Sequence, residues 1–217
     1  DPDHEFDFRD CTDNVDVVDT YDTSITATAM NGATCSTRGM VFDGSDDYVD
    51  VTPWPFGGEA MTFEVYAYRA SSGSDGWYRL FGFAGDDGDY GDSNGNQDAL
   101  KVQAGIDHTK IAFTSLVDLS GSSVQKESVW TASTWIHIVG TVDSSTEMTL
   151  YIDGTWAATT ASGTIPTSMT RSRHTVGAQA TSSTAEQFFF AGTIAYLRFW
   201  HGVALDADQV AELYALR

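Results

Sequence analysis

Positive charge is scarce in this sequence. Eleven Lys plus Arg face thirty-one Asp plus Glu over 217 residues, a formal net charge of −20. Phosphate-rich partners need a basic patch, so nucleic acid is excluded as a partner class, and docking on anionic lipid is disfavoured with it. Cation binding stays open, as does life in salty water, where screening weakens self-repulsion. No stretch reaches the roughly 18 apolar residues of a membrane span, so no membrane insertion is expected. No secretory hydrophobic segment precedes Asp1, which implies that a signal was removed or that the domain was cut from a longer protein. The chain has no N-x-Ser/Thr sequon, so glycosylation says nothing about compartment. Cysteine is limited to Cys11 and Cys35. An even count in an extracellular chain reads as one disulfide, worth roughly 3–4 kcal/mol by loop entropy, with two buried free thiols as the alternative.

Strand signals fill the rest. Met61–Ala70 alternates apolar Phe63, Val65 and Ala67 with Thr62, Glu64 and Tyr66, the period of a half-buried strand. Met40–Asp43 and Tyr48–Val51 flank a Gly44-Ser45 turn. Further candidates are Trp77–Ala84, Ala99–Gly105, Lys110–Thr114, Ser123–Val129, Trp135–Asp143, Met148–Asp153, Trp156–Thr160, His174–Val176 and Phe188–Trp200. Gly, Ser, Thr and Asp fill the connections, as hairpin turns require. The reading is one all-β domain over residues 1–217, an antiparallel two-sheet sandwich. One short C-terminal helix is expected, with Asp206 as N-cap and Gln209 three residues on. Its apolar stripe would be Val210, Leu213, Tyr214 and Leu216, packed on the sandwich edge.

Three segments resemble the laminin-G-like and concanavalin A-like lectin jelly rolls and their pentraxin relatives. They are MVFDGSDDYVDV (Met40–Val51), TWIHIVGTVDSSTEMTLYIDGTWAAT (Thr134–Thr159) and FAGTIAYLRFWHGVALDADQVAELY from Phe190 to Tyr214. The resemblance implies a jelly roll in which the first segment is a hairpin and the last ends in the closing helix. Trp135, Ile136, Val139 and Val142 would face the space between sheets, and Asp153-Gly154 would make a two-residue turn with positive φ. Trp135 and His137 read as core rather than functional residues.

Oxygen ligands crowd the segment Gly85–Asp98, GDDGDYGDSNGNQD. A flexible Gly-rich loop with carboxylates is what Ca²⁺ takes. By resemblance to the pentraxin calcium loop, Asp87 with Asp89 or Asp92 would ligate the ion, Asp86 standing beside them. A merely solvated acidic loop is the alternative, and no Glu closes an EF-hand at the twelfth position. Asp43, Asp46 and Asp47 form a second candidate cluster, where turn chemistry competes with metal. Sugar recognition needs ring faces and placed polar groups. Candidate ligand contacts are Tyr90, Trp77, Tyr78, Asn94, Asn96 and Trp156, with Gln97 and Trp130 as further possibilities. Trp77 and Tyr78 alternate sides of one strand, so at least one of them faces the core.

Catalytic signals are sparse. The Glu-x-Asp-x-Glu string of glycosidases with this fold is absent, Glu64 stands alone in its strand, and no G-x-S-x-G elbow occurs. Arg69, Gln103, His137 and Tyr151 match the residue types of alginate-lyase sandwiches without a linking motif. The preferred reading is a non-catalytic, secreted or cell-surface carbohydrate-binding module, calcium-assisted and part of a larger extracellular protein. Competing readings are a laminin-G-type protein-binding adhesion module and a polysaccharide-active glycosidase or lyase.

Overall fold

In the computed structural model, the described residues are 1–71, 77–84, 99–104, 109–117, 120–182 and 185–217. They form an antiparallel two-sheet jelly-roll sandwich with one C-terminal helix. In spatial order the first sheet runs Thr155–Thr160, Met148–Ile152, Trp135–Val142, Met61–Arg69, Ala191–His201, Gly39–Asp43 and Thr34–Ser36, and His4–Asp7 also pairs with Ala191–His201. The second runs Ser120–Lys126, Ile111–Val117, Ala99–Ala104, Arg79–Ala84, Arg173–Val176, Tyr48–Val51, Thr26–Met30 and Val17–Val18.

Gly39–Asp43 and Tyr48–Val51 do not pair as a hairpin; they lie in different sheets. The Gly44 turn, at φ 83°, is therefore a corner that carries the chain across the sandwich. Both strands bury an alternate set of apolar residues, Met40 and Phe42 on one and Val49 and Val51 on the other, so each sheet receives its own wall of core. The Asp153-Gly154 turn does take positive φ at both residues, 48° and 72°, and joins Met148–Ile152 to Thr155–Thr160 as the sequence predicts.

Aromatic rings fill the space between the sheets. Phe63 of the first sheet stacks on Phe81 of the second at 4.8 Å between centroids and touches Phe199 at 4.5 Å. Gly140 sits where a Cβ would lie 2.5 Å from the Phe113 ring, so a larger residue would push the sheets apart. His174 lies in the same layer, stacked on Phe83 and edge-on to Trp54, each at 4.4 Å. Neither of its ring nitrogens has a hydrogen-bond partner among the described residues. Burial, followed by the charge of Arg171 and then His4, holds its pKa well below the ordinary 6.5.

Alternation along Trp135–Val142 turns Ile136, Ile138 and Val142 inward and His137 and Val139 outward. Val139 therefore leaves the inter-sheet space assigned to it from sequence. It packs beneath the helix Ala207–Leu216 with Tyr151, Trp200, Leu205 and Val210. Trp135 is also outside the core layer, stacked on Tyr66 at 4.8 Å. The helix has the capping box read from the sequence: Asp206 accepts from the amides of Asp208 and Gln209, and Gln209 accepts from the Asp206 amide. It covers a sheet face rather than an edge, and Leu216 remains exposed.

Under that cover lies a buried polar group. Glu64 accepts from His137 Nε2 at 2.7 Å, from the Tyr196 hydroxyl at 3.2 Å and from Arg198 Nη1 at 3.2 Å. Arg198 Nε also donates to Glu5 at 2.6 Å, tying the N-terminal strand to the sheet. Burial and the nearby Glu64 charge push the Tyr196 hydroxyl far up, so it stays a donor. The expected disulfide is present and joins Cys11 to Cys35, with Cα atoms 5.6 Å apart.

Two stability experiments follow. Below about pH 6.5 the unfolded chain takes up a proton at His174 that the folded chain resists, so stability should fall with pH by up to about 1.4 kcal/mol per unit. Urea midpoints from about pH 7.5 to about pH 5 should decline, and His174→Phe should flatten the slope; an equal slope in the variant would place the acid-sensitive group elsewhere. Glu64→Ala leaves buried donors without their carboxylate and should cost about 3–5 kcal/mol in the same assay.

Candidate functional site

The inward row Phe81, Val102, Phe113 and Val124 crosses the second sheet as directly paired neighbours, all buried. Side chains alternate along a strand, so the next row, Gly82, Lys101, Thr114 and Ser123, points away from the core. Lys101, Thr114 and Ser123 of that outward row line a hollow of about 490 Å³.

Two aromatic rings and three cations dominate its lining. Trp77 is 40% exposed, and the Lys110 ammonium lies 5.8 Å from its ring centroid. The Arg79 guanidinium lies 4.6 Å from the Phe188 ring. Both are within the range of cation–π attraction. Arg79 Nε donates to Gln179 Oε1 and Nη1 donates to the Trp77 carbonyl, which fixes the plane of the guanidinium. Gln179 lies against Gly82. Lys101 is only 2% exposed, and Lys110 is 3.6 Å from Glu127 at the rim. The Thr114 hydroxyl donates to Ser123 Oγ at 3.1 Å, and Gln125 adds an amide to the wall. Among the described residues lining the hollow there is no carboxylate and no histidine. The groups gathered around it are ring faces, cations, hydroxyls and an amide.

The sequence-derived ligand residues part company here. Trp77 lines the hollow. Tyr78 does not: it is fully buried, with its ring against Phe190 at 5.3 Å and Trp130 at 6.1 Å, so it has no face for a sugar. Trp130 is buried as well, its indole donating to the Thr134 carbonyl. Trp156 is 60% exposed but belongs to the first sheet, where its indole donates to the Thr159 hydroxyl. Tyr90, Asn94 and Asn96, and the metal candidates Asp86, Asp87, Asp89 and Asp92, lie outside the described residues. Their segment joins Arg79–Ala84 to Ala99–Ala104, two paired strands of the hollow's floor.

Sequence reasoning missed Arg79, Lys101, Lys110 and Phe188. A signal was available in the scarcity of positive charge, since three of eleven basic residues fall between positions 79 and 110. The pairing register that puts Lys101 opposite Thr114 was not.

A second feature is the acidic corner between the sheets. Ligand oxygens of Asp43, Asp46 and Asp47 lie within 4.8 Å of one another. Turn bonds use part of this set: Asp43 Oδ1 accepts from the Ser45 amide, and Asp47 Oδ2 accepts from the Asp43 amide. Burial, then the neighbouring charges of Asp43 and Asp46, raises the Asp47 pKa. A hard cation would relieve that strain, and three carboxylates fit the oxygen chemistry of Ca²⁺, which completes its shell with carbonyls and water.

The lyase-type set is not assembled. His137 and Tyr151 are buried near the helix, Arg69 is buried in the first sheet, and Gln103 belongs to a strand of the second. Glu64 is closed to solvent by its own bonding partners.

Comparison with known proteins agrees with this architecture. Structures of similar fold include the botulinum neurotoxin serotype G binding domain, with a TM-score of 0.72, 12% identity, and 100% of this chain covered against 51% of that one. The serotype D binding domain gives 0.69 and 11%, covering 99% of this chain and 51% of that one. The CBM40 of the Ruminococcus gnavus IT-sialidase, bound to α2,3-sialyllactose, gives 0.58 and 10%, covering 72% and 83%. The chain thus spans about half the length of the toxin domains it matches. Among curated proteins no sequence matches. The family model Laminin_G_3, described as the concanavalin A-like lectin/glucanases superfamily, matches residues 43–211, and the chain belongs to that family.

Proposed function

We propose that this chain is a non-catalytic carbohydrate-recognition module that works outside the cell and binds saccharide in the hollow of the second sheet. The observation that carries this reading is the placement of the Trp77 and Phe188 rings beside Arg79, Lys101, Thr114, Ser123 and Gln125. A pyranose has apolar C–H faces and a rim of hydroxyls, and a pocket of ring surface with a few fixed polar groups matches both. The fold shared with a sialidase CBM40 bound to a sialylated sugar is compatible with it. The Cys11–Cys35 disulfide suits an oxidising compartment, and among the described residues no helix is long and apolar enough to cross a membrane.

The reading includes calcium as an aid. Asp43 and Asp46 are the described residues that would hold it, with Asp47; the segment 86–98 carries the other set named from sequence. The ion would neutralise the corner and stiffen the crossing between sheets.

Glycan arrays with calcium and with EDTA should show saccharide binding, and Trp77→Ala should weaken it about tenfold. Silence on both arrays would favour a protein partner instead. Calcium should raise the melting temperature, and Asp43→Asn with Asp46→Asn should remove that rise. A rise kept there but lost on changing Asp87, Asp89 and Asp92 to Asn would move the ion to the 86–98 segment.

A further inference from the structure

We infer that Arg79 is a positioning residue for recognition: it holds the segments carrying both rings of the hollow, Trp77 by its carbonyl and Phe188 in a left-handed backbone. This rests on the glycan reading and adds to it the residue that sets the geometry of the stacking surface.

Phe188 marks the place. Among the described residues, seven other than glycine have positive φ: Asn14, Asn31, Ser128, Ser133, Thr146, Asp153 and Phe188. Six of them are Asn, Asp, Ser or Thr, small polar residues of the kind that turns use. Phe188, at φ 59°, is the exception. A bulky side chain is an outlier in that region, and such strain persists only where the surrounding contacts impose it.

Arg79 makes contacts of that kind. Its amide donates to the Phe188 carbonyl at 2.9 Å, and its guanidinium lies 4.6 Å from the Phe188 ring. Nη1 of the same guanidinium donates to the Trp77 carbonyl, while Nε donates to Gln179 Oε1. One residue thus joins the two segments that carry the rings. At 4% exposure Arg79 is covered, which suits a side chain that acts on its neighbours rather than on a ligand. Trp77, at 40% exposure, and the half-buried Phe188 are the groups that reach solvent.

Alternation shows why these segments need fixing. Tyr78 and Phe190 turn inward, with ring centroids 5.3 Å apart, while Trp77, Arg79 and Phe188 line the hollow outside. Core packing sets the inward pair. The outward rings are set by Arg79 and, at Trp77, by Lys110, 5.8 Å from the ring centroid. A ring ordered before binding loses less freedom when a ligand arrives.

The experiment reads binding, melting and ring order together. Using the glycan that the arrays identify, Phe188→Ala and Phe188→Gly should each weaken binding about tenfold. Phe188→Gly should nevertheless melt about 2–4 °C above Phe188→Ala, because glycine takes a positive φ without steric cost. Equal melting temperatures, or wild-type affinity in both variants, would overturn the placement of Phe188. Arg79→Lys keeps the charge but loses the planar fork. It should weaken binding about tenfold in the wild-type background and less than about threefold once Phe188→Gly is in place. Losses that multiply in full would make Arg79 a residue of the fold alone and overturn the inference.

A third readout needs no ligand. The near-ultraviolet dichroism of Trp77, taken as the difference between chains with and without Trp77→Phe, should shrink with Arg79→Lys. An unchanged signal would overturn the positioning role. If no glycan binds the wild type, the glycan reading falls, and this signal with the two melting temperatures decides how the rings are held. The Phe188 pair decides it if Arg79→Lys does not fold.

Discussion

The aromatic layer between the sheets is the constraint from which the rest follows. Phe63 lies on Phe81 and against Phe199, and Phe83, His174, Trp54 and Phe56 continue the layer. Because strand side chains alternate with a period of two, fixing which residues enter this layer also fixes which leave it. Once Phe81, Val102, Phe113 and Val124 turn inward, Gly82, Lys101, Thr114 and Ser123 have to turn outward. A one-residue slip would turn Lys101 into the space between the sheets and Phe113 out of it. The hollow is thus the reverse side of the core.

The two sheets differ in what happens on their outer faces. The first is covered by the helix Ala207–Leu216 over Val139, Tyr151 and Trp200. Its buried carboxylate is occupied from within, Glu64 gathering His137, Tyr196 and Arg198. That explains why Met61–Arg69 is buried on nearly every residue although its sequence alternates. Over the hollow of the second sheet no helix packs among the described residues, and Trp77 and Ser123 are exposed there.

Alternation made the long strands legible. Every strand read from the sequence has a counterpart, because Phe63, Val65 and Ala67 or Ile136 and Ile138 announce a buried face. Thr26–Met30, with the sequence TATAM, gave little signal, since Thr and Ala differ weakly in hydrophobicity. His4–Asp7 was hidden by its charged residues, which the structure satisfies through distant partners: His4 lies 2.7 Å from Asp19. The corner at Gly44 looked like a hairpin because local turn chemistry does not record which sheet the next strand joins. The site was half legible. Trp77 and Tyr78 could be told apart only as a pair on opposite sides of a strand, and the core claimed Tyr78. Arg79, Lys101 and Lys110 sit on separate elements or at their ends, and their convergence depends on a register that one sequence does not state.

The alternation also separates two kinds of heredity. Residues of the inward row answer to packing, and their neighbours one position along answer to whatever the surface meets. Substitution at Thr114, Ser123 or Gln125 can proceed while Phe113 and Val124 hold the sheets together. The outward face can therefore change in chemistry while the fold is kept. The structures of similar fold, at 10–12% identity, share that architecture with few residues in common.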